Sequence, residues 1–295
     1  MFSKLHLNRL LNHASSDNSG KLSFLSMGYE DHPFKSNQLY YFEYTNENNI
    51  SSIRRINLTF PFVFYDVVGS FNGLVCIYGR QDHEIYGPAC ICNPITRESV
   101  ILPKCKNPTN LRWNHLFDGF GYLPSTDEYK VARMYALLGE TKNSVEVEIY
   151  TLDSGTGWRN LGMFDYNLEI SHGVHGASAN GALYWIDMEE RVVAFDLAEE
   201  RFRGYLSPPS LPLHLKSVVS TLRVWDGFLL YNANHDKNYS FEYEIWRLKT
   251  ENDNHESLGW SKAHTAVRSE PFAFTKSGCV LRYQNSWFYI DDPKS

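Results

Sequence analysis

The chain has 295 residues, 43% hydrophobic and 21% charged, an ordinary globular balance that allows one large domain or two smaller ones. Its formal net charge of −6 and pI near 6.0, with Arg54-Arg55 the densest basic pair, disfavour a nucleic-acid partner. No stretch approaches the ~18 uninterrupted apolar residues of a membrane helix, and Met1 to Leu11, broken by Lys4, His6, Asn8 and Arg9, does not read as a secretion signal; the chain reads as soluble and intracellular, with no membrane partner.

Aromatic residues make up 15% of the chain, a share that suits half-buried strands. Met1 to Leu11, with Leu5, Leu7, Leu10 and Leu11 apolar, predicts a short N-terminal helical segment of about two turns. Strands are then expected near Leu22 to Leu25, Leu39 to Phe42 and Ile53 to Leu58. From residue 67 a pattern recurs. Asn72-Gly73 precedes Leu74 to Tyr78, Asn180-Gly181 precedes Ala182 to Ile186, Asp226-Gly227 precedes Phe228 to Tyr231, and Ser277-Gly278 precedes Cys279 to Leu281. Asn-Gly and Asp-Gly are preferred two-residue hairpin turns because both positions need positive φ. A glycine-free copy, Ser125 to Glu128, precedes Tyr129 to Tyr135. The turns at 73, 127, 181, 227 and 278 are spaced by 54, 54, 46 and 51 residues. A period of roughly 50 residues is the kelch-like range, with four strands per blade.

Later strands in each unit recur as well: Ala89 to Cys92 before Asn93-Pro94, Val145 to Tyr150, Val192 to Asp196, and Tyr243 to Leu248. Val145 to Tyr150 alternates apolar and acidic residues, the pattern of a strand with one wet face. Gly157-Trp158 and Gly259-Trp260 place a tryptophan at the next strand, where it is expected to pack between neighbouring blades. The reading is all-β: a kelch-like β-propeller of six blades, with five blades and an irregular N-terminal extension as the alternative.

Nucleophile-elbow, phosphate-loop, dinucleotide-binding, zinc-protease and kinase signatures are all missing. Five cysteines, four of them clustered, make no secreted disulfide framework. Cys90 and Cys92, with Cys105 thirteen residues on, lack a fourth ligand, and Cys is a common small core hydrophobe. His172 and His175 read as rim histidines near a glycine turn. Asp187, Glu189, Glu190, Asp196, Glu199 and Glu200 offer paired carboxylates, yet they flank a strand in turn-like positions and read as a solvated face. No catalytic, metal or cofactor-binding residue is assigned. Loop aromatics and histidines are the candidate partner-binding residues: Trp113, His115, Tyr166, His172 and Tyr239, with Phe117 in the same loop as Trp113.

Several segments, in order, resemble the plant F-box-associated interaction domain, type 1, of F-box/kelch-type and S-locus F-box proteins. They are Val67 to Tyr78 (VVGSFNGLVCIY), Cys92 to Glu98 (CNPITRE) with Leu102-Pro103, Phe117 to Val131 (FDGFGYLPSTDEYKV), Val147 to Trp158, Gly181 to Phe195, and Pro271 to Phe274. The resemblance implies the substrate-recognition module of a Skp–cullin–F-box ubiquitin ligase receptor, binding a target protein in the cytoplasm and/or nucleus, without catalysis or cofactor. Residues 1–20 resemble the segment that follows an F-box, and 21–295 the interaction domain. The F-box itself is missing, so a Skp-type adaptor and cullin are expected partners only if an F-box lies upstream. A decoy or truncated paralogue, and a propeller hydrolase or glycan-binding protein, are the alternatives. Loops at 105–117, 139–144, 207–216 and 234–257 are expected to set specificity.

Overall fold

The computed structural model describes residues 22–29, 37–45, 49–56, 62, 64–80, 88–105, 115–137, 144–166, 175–211, 219–237, 240–249, 259–267, 271–274, 280–284 and 287–291. All regular structure among them is β. The expected N-terminal helical segment and the Ser277-Gly278 turn lie outside the described residues. Contacts divide the chain into two units, 1–111 with 148–159, and 112–147 with 160–295.

The first unit opens with an antiparallel meander of β1 (Leu22–Tyr29), β2 (Asn37–Thr45) and β3 (Asn49–Ile56). A four-stranded meander follows: β4 (Phe64–Phe71), β5 (Leu74–Arg80), β6 (Ala89–Cys92) and β7 (Ser99–Ile101). Its register pairs Val75 with Cys92 and Ile77 with Cys90. Residues two apart share a face, so these four pack together with Phe62 and Tyr65. Leu74, Cys76 and Ile91, on the opposite face, are buried as well. The run LVCIY is therefore continuously apolar because both of its faces are covered. Burial pushes the Cys90 thiol up to about 11 and the Cys92 thiol up to about 12, the latter helped by Cys90.

The second unit holds β8 (His115–Leu123), β9 (Glu128–Leu137), β12 (His175–Ala179), β13 (Ala182–Ile186), β14 (Val192–Asp196) and β15 (Arg201–Phe202); β10 (Ser144–Thr151) and β11 (Trp158–Phe164) run across the division. These eight strands form one sheet in the order β11-β10-β9-β8-β12-β13-β14-β15. It consists of two antiparallel meanders, joined where β8 and β12 pair in parallel through His175 with Asp118 and Gly176 with Gly119. β16 (Val219–Trp225), β17 (Phe228–Lys237), β18 (Ser240–Leu248) and β19 (Trp260–Val267) form a further meander. β20 (Pro271–Phe274), β21 (Val280–Gln284) and β22 (Trp287–Asp291) form a three-stranded one. Six meanders thus follow in series among the described residues, the blade units that the 50-residue period predicts. A three-stranded meander stands where the five-blade alternative expected an irregular extension.

The turns carry the repeat as expected. Asn72 and Gly73 have φ of 48° and 78°, Asn180 and Gly181 49° and 70°, Asp226 and Gly227 51° and 78°. Positive φ at both positions is the hairpin geometry that follows strand twist. In the glycine-free copy Asp127 takes φ 58° alone, at the end of a longer turn over 124–127. Asp and Asn tolerate this region better than most residues.

Small residues fix the seam between the joined meanders. A Cβ at Gly119 would stand 2.8 Å from Leu183 Cδ1, and one at Gly176 2.6 Å from Trp185 Cε2 and Cζ2. Leu183 and Trp185 share one face of β13, so their bulk fills the room the glycines leave. The tryptophan Nε1 donates to the carbonyl of Asp118 at 3.2 Å, and Phe117 meets the indole edge to face at 5.5 Å.

Three expectations are corrected here. His115 and Phe117 belong to β8, not to a loop, and Phe117 is 1% exposed. The segment 234–257 is largely β17 and β18, which extend to Lys237 and from Ser240. Glu148 is buried, so the alternating face of β10 is not uniformly wet.

Candidate protein-interaction surface

Antiparallel connection puts successive turns at opposite ends of a meander. In β12 to β15 the β12/β13 and β14/β15 turns share one end, and the β13/β14 turn shares the other with the chain that leaves β15. That second end carries two exposed large hydrophobic side chains, Met188 and Tyr205.

The β13/β14 turn, 187–191, is organised by Asp187. Its Oδ1 accepts the amides of Glu189 and Arg191 at 3.0 and 2.8 Å, and its Oδ2 takes Arg191 Nε at 2.7 Å. Glu190 closes the turn at φ 60°. This pinned turn holds Met188 out at 65% exposure. Arg191 also bonds Glu189 at 2.9 Å, and its guanidinium lies 4.0 Å above the ring of Tyr205. Tyr205 leans on Tyr166 with centroids 4.9 Å apart. Tyr166 stacks on Phe202 at 4.6 Å, and Phe202 meets the core ring of Phe195 at 5.2 Å. The aromatic column therefore runs from the core to solvent and ends on Tyr205, 37% exposed. Burial raises the Tyr166 phenol well above its ordinary value, with Tyr205 adding to the rise. It stays protonated and donates to the carbonyl of Arg203 at 2.9 Å.

The second acidic group has the same kind of task. Asp196 Oδ1 accepts the amides of Ala198 and Glu199 at 2.7 and 2.9 Å, while Oδ2 bonds Arg203. Burial alone would raise this carboxyl; the Glu199 amide, the Arg203 guanidinium and the Ala198 amide outweigh it, and the net shift is downward. Lys130 reaches from β9 to Glu200 Oε1 at 2.9 Å and to the carbonyl of Leu197 at 2.8 Å. The expected solvated face holds for Glu189, Glu190 and Glu199, which are exposed, and is corrected for the two aspartates. Asp187 and Asp196 are buried turn caps, because a two-lone-pair acceptor placed beside a tight turn satisfies amides that no strand partner reaches.

The sequence-predicted partner-binding residues do not converge. Trp113, His172 and Tyr239 lie outside the described residues. The backbone of His115, in β8, pairs with Ala136 of β9. Tyr166 belongs to the aromatic column, where it supports Tyr205. Met188, Arg191 and Tyr205 were not singled out by sequence reasoning. The available signal was a lone methionine inside an acidic turn, Asp187-Met188-Glu189-Glu190. His175, read as a rim residue, bonds Asp118 Oδ1 through Nδ1 at 2.5 Å across the β8/β12 seam. Among the described residues no group of three His, Cys, Asp or Glu converges as a metal site, and no helix is long and apolar enough to cross a membrane.

The two Gly-Trp pairs behave alike. Trp158 Nε1 donates to the carbonyl of Pro103 at 2.7 Å, and Trp260 Nε1 to that of Ser207 at 2.8 Å. Each indole thus bonds the chain just beyond the last strand of the preceding meander.

Comparison with known proteins now bears on these features. A family model described as the F-box associated beta propeller domain matches residues 19–283. An F-box protein of Arabidopsis thaliana is 29% identical over 205 residues, covering 60% of this chain and 47% of the relative. A putative F-box/kelch-repeat protein of the same plant is 28% identical over 210 residues, covering 66% and 47%. The Arabidopsis F-box protein CPR1 is 25% identical over 257 residues, covering 78% and 57%. The chain spans about half the length of the curated relatives it matches. Among solved structures it aligns with a luciferin-regenerating enzyme at 11% identity and TM-score 0.43, covering 90% of this chain and 87% of the other. It also aligns with the six-bladed β-propeller lectin of Aleuria aurantia at 12% and 0.39, covering 91% and 94%. With the family model matching nearly its whole length, the chain belongs to the F-box associated β-propeller domain family.

Proposed function

We propose that this domain is the target-binding module of an F-box receptor, holding a protein for ubiquitin transfer by the other subunits of a Skp–cullin–F-box ligase. It contributes positioning alone, without catalysis or cofactor, in the cytoplasm and/or nucleus. Adaptor and cullin engage only where an F-box segment lies upstream in the same receptor, and this domain carries the specificity. The observation that carries the reading, beyond family membership, is the surface of Met188 and Tyr205. Large apolar side chains stand in solvent on a turn whose backbone is pinned by a buried carboxylate. Exposed aromatic and methionine side chains on a rigid support are the usual anchors of protein interfaces.

The test is proximity labelling in plant cells with the tagged chain, beside a Met188→Ser, Tyr205→Ser variant, with the proteasome inhibited. The expected outcome is a small set of proteins enriched by the native chain and absent from the variant. Identical labelling by the two would remove this surface as the target site.

A further inference from the structure

We infer that the Met188–Tyr205 ledge takes a basic segment of the target, in which an aliphatic or aromatic side chain is flanked by Lys or Arg; this rests on the target-binding reading above. Met188 is 65% exposed and Tyr205 37%, and Arg191 of the Met188 turn lies over the Tyr205 ring. A thioether adapts its shape to a partner side chain, so a methionine at this place tolerates several apolar anchors. The Tyr205 ring is covered by Arg191 at 4.0 Å and flanked by Tyr166 at 4.9 Å, and the anchor contacts its exposed part.

Charge decides what flanks the anchor. Three carboxylates belong to the turn of the ledge, Asp187, Glu189 and Glu190, against the guanidinium of Arg191. Arg191 is engaged by Asp187 at 2.7 Å and Glu189 at 2.9 Å, so its charge is already balanced locally. Arg203, which follows Phe202, is paired with Asp196. The excess on this turn is negative, and Glu189 and Glu190 are exposed to solvent. An acidic segment or a nucleic acid meets like charge here, whereas Lys and Arg on either side of an apolar anchor meet opposite charge.

The experiment selects random dodecapeptides displayed on phage against the immobilised 295-residue chain, with Met188→Ser and Met188→Ser, Tyr205→Ser chains as counter-targets. Met188 is exposed, so its single variant folds as the native chain does. The expected result is enrichment of peptides with Lys or Arg beside an aliphatic or aromatic residue, lost on both variants. A synthetic enriched peptide then loses about tenfold in affinity on the Glu189→Gln, Glu190→Gln chain, and weakens as salt is raised. Enriched peptides that need Met188 but carry neutral or acidic flanks overturn the charge inference and leave the target-binding reading standing. Peptides that bind native and Met188→Ser chains equally, or no enrichment at all, overturn the ledge itself.

Discussion

Gly176→Ala tests whether the β8/β12 seam is built around Trp185. The new methyl carbon would stand 2.6 Å from Cε2 and Cζ2 of the indole and 3.0 Å from its Nε1. Trp185 is 1% exposed and edge-packed by Phe117, so the ring has no empty space to enter. Moving it stretches the Nε1 bond to the Asp118 carbonyl. Overpacking of this kind costs about 1–3 kcal/mol, and loss of a buried hydrogen bond adds about 1 kcal/mol. The expected destabilisation is therefore about 3 kcal/mol. With an m-value of roughly 3 kcal/mol/M, the urea midpoint followed by tryptophan fluorescence falls by about 1 M. Gly204→Ala is the control. Nothing lies within 4 Å of its added carbon, so it shifts stability by less than about 0.5 kcal/mol. The same Gly176→Ala change made in a Trp185→Phe background costs at least about 1 kcal/mol less, because the phenyl ring lacks the clashing atoms. Equal midpoints for Gly176→Ala and Gly204→Ala, or strict additivity with Trp185→Phe, would refute the packing argument.

Further outcomes follow from the polar contacts and the thiols. Trp158→Phe and Trp260→Phe each remove one indole donor from a loop carbonyl, and each lowers stability by about 1 kcal/mol in urea titration. The Asp196 carboxyl titrates below its ordinary value in the folded chain. Its contribution is therefore complete above about pH 5 and falls away as the pH drops below about 4. The stability gap between native and Asp196→Asn chains narrows over that window, and a gap independent of pH would contradict the assignment. Cys76, Cys90 and Cys92 are buried, with the Cys90 and Cys92 thiols pushed up to about 11 and about 12. A disulfide reagent at pH 8 leaves these three unmodified until denaturant is added.

Turn chemistry and strand periodicity were readable in the sequence because they are local. Asn72-Gly73, Asn180-Gly181 and Asp226-Gly227 take positive φ whatever surrounds them, and so they marked the meanders in advance. The family resemblance also had a physical content that emerged only in three dimensions. The glycines of Gly119-Phe120-Gly121 and the bulky residues of Ala182-Leu183-Tyr184-Trp185 lie far apart in sequence. They are the two sides of one seam, since an added carbon at Gly119 would strike Leu183 at 2.8 Å and one at Gly121 would strike Ser178 Oγ and Leu197 Cδ1 at 2.6 and 2.7 Å. Burial of polar groups was the misleading part. Asp187, Asp196 and Glu148 are acidic residues inside an acidic chain, and composition alone assigns them to water. The amides that hold the two aspartates lie only two to four residues on, but the turns that aim them at the carboxylates form only when the flanking strands pair.

The candidate surface was hidden for a related reason, and its place in the fold explains why it belongs where it is. The β12/β13 link is the two-residue turn Asn180-Gly181, with both residues committed to positive φ and little side chain to vary. The opposite end of the same meander carries 187–191 and the chain leaving β15. Residues there change without shifting strand register, since register is set by the pairing of buried faces such as Leu183 with Phe195 and Trp185 with Val193. Selection for a new partner therefore acts at this end with little effect on the core. An exposed methionine survives at such a place only if the backbone under it is rigid, because a mobile apolar turn gains less from contact than it loses in ordering. Asp187 supplies that rigidity through two amide bonds and Arg191, and the column from Phe195 to Tyr205 anchors the other half of the ledge to the core.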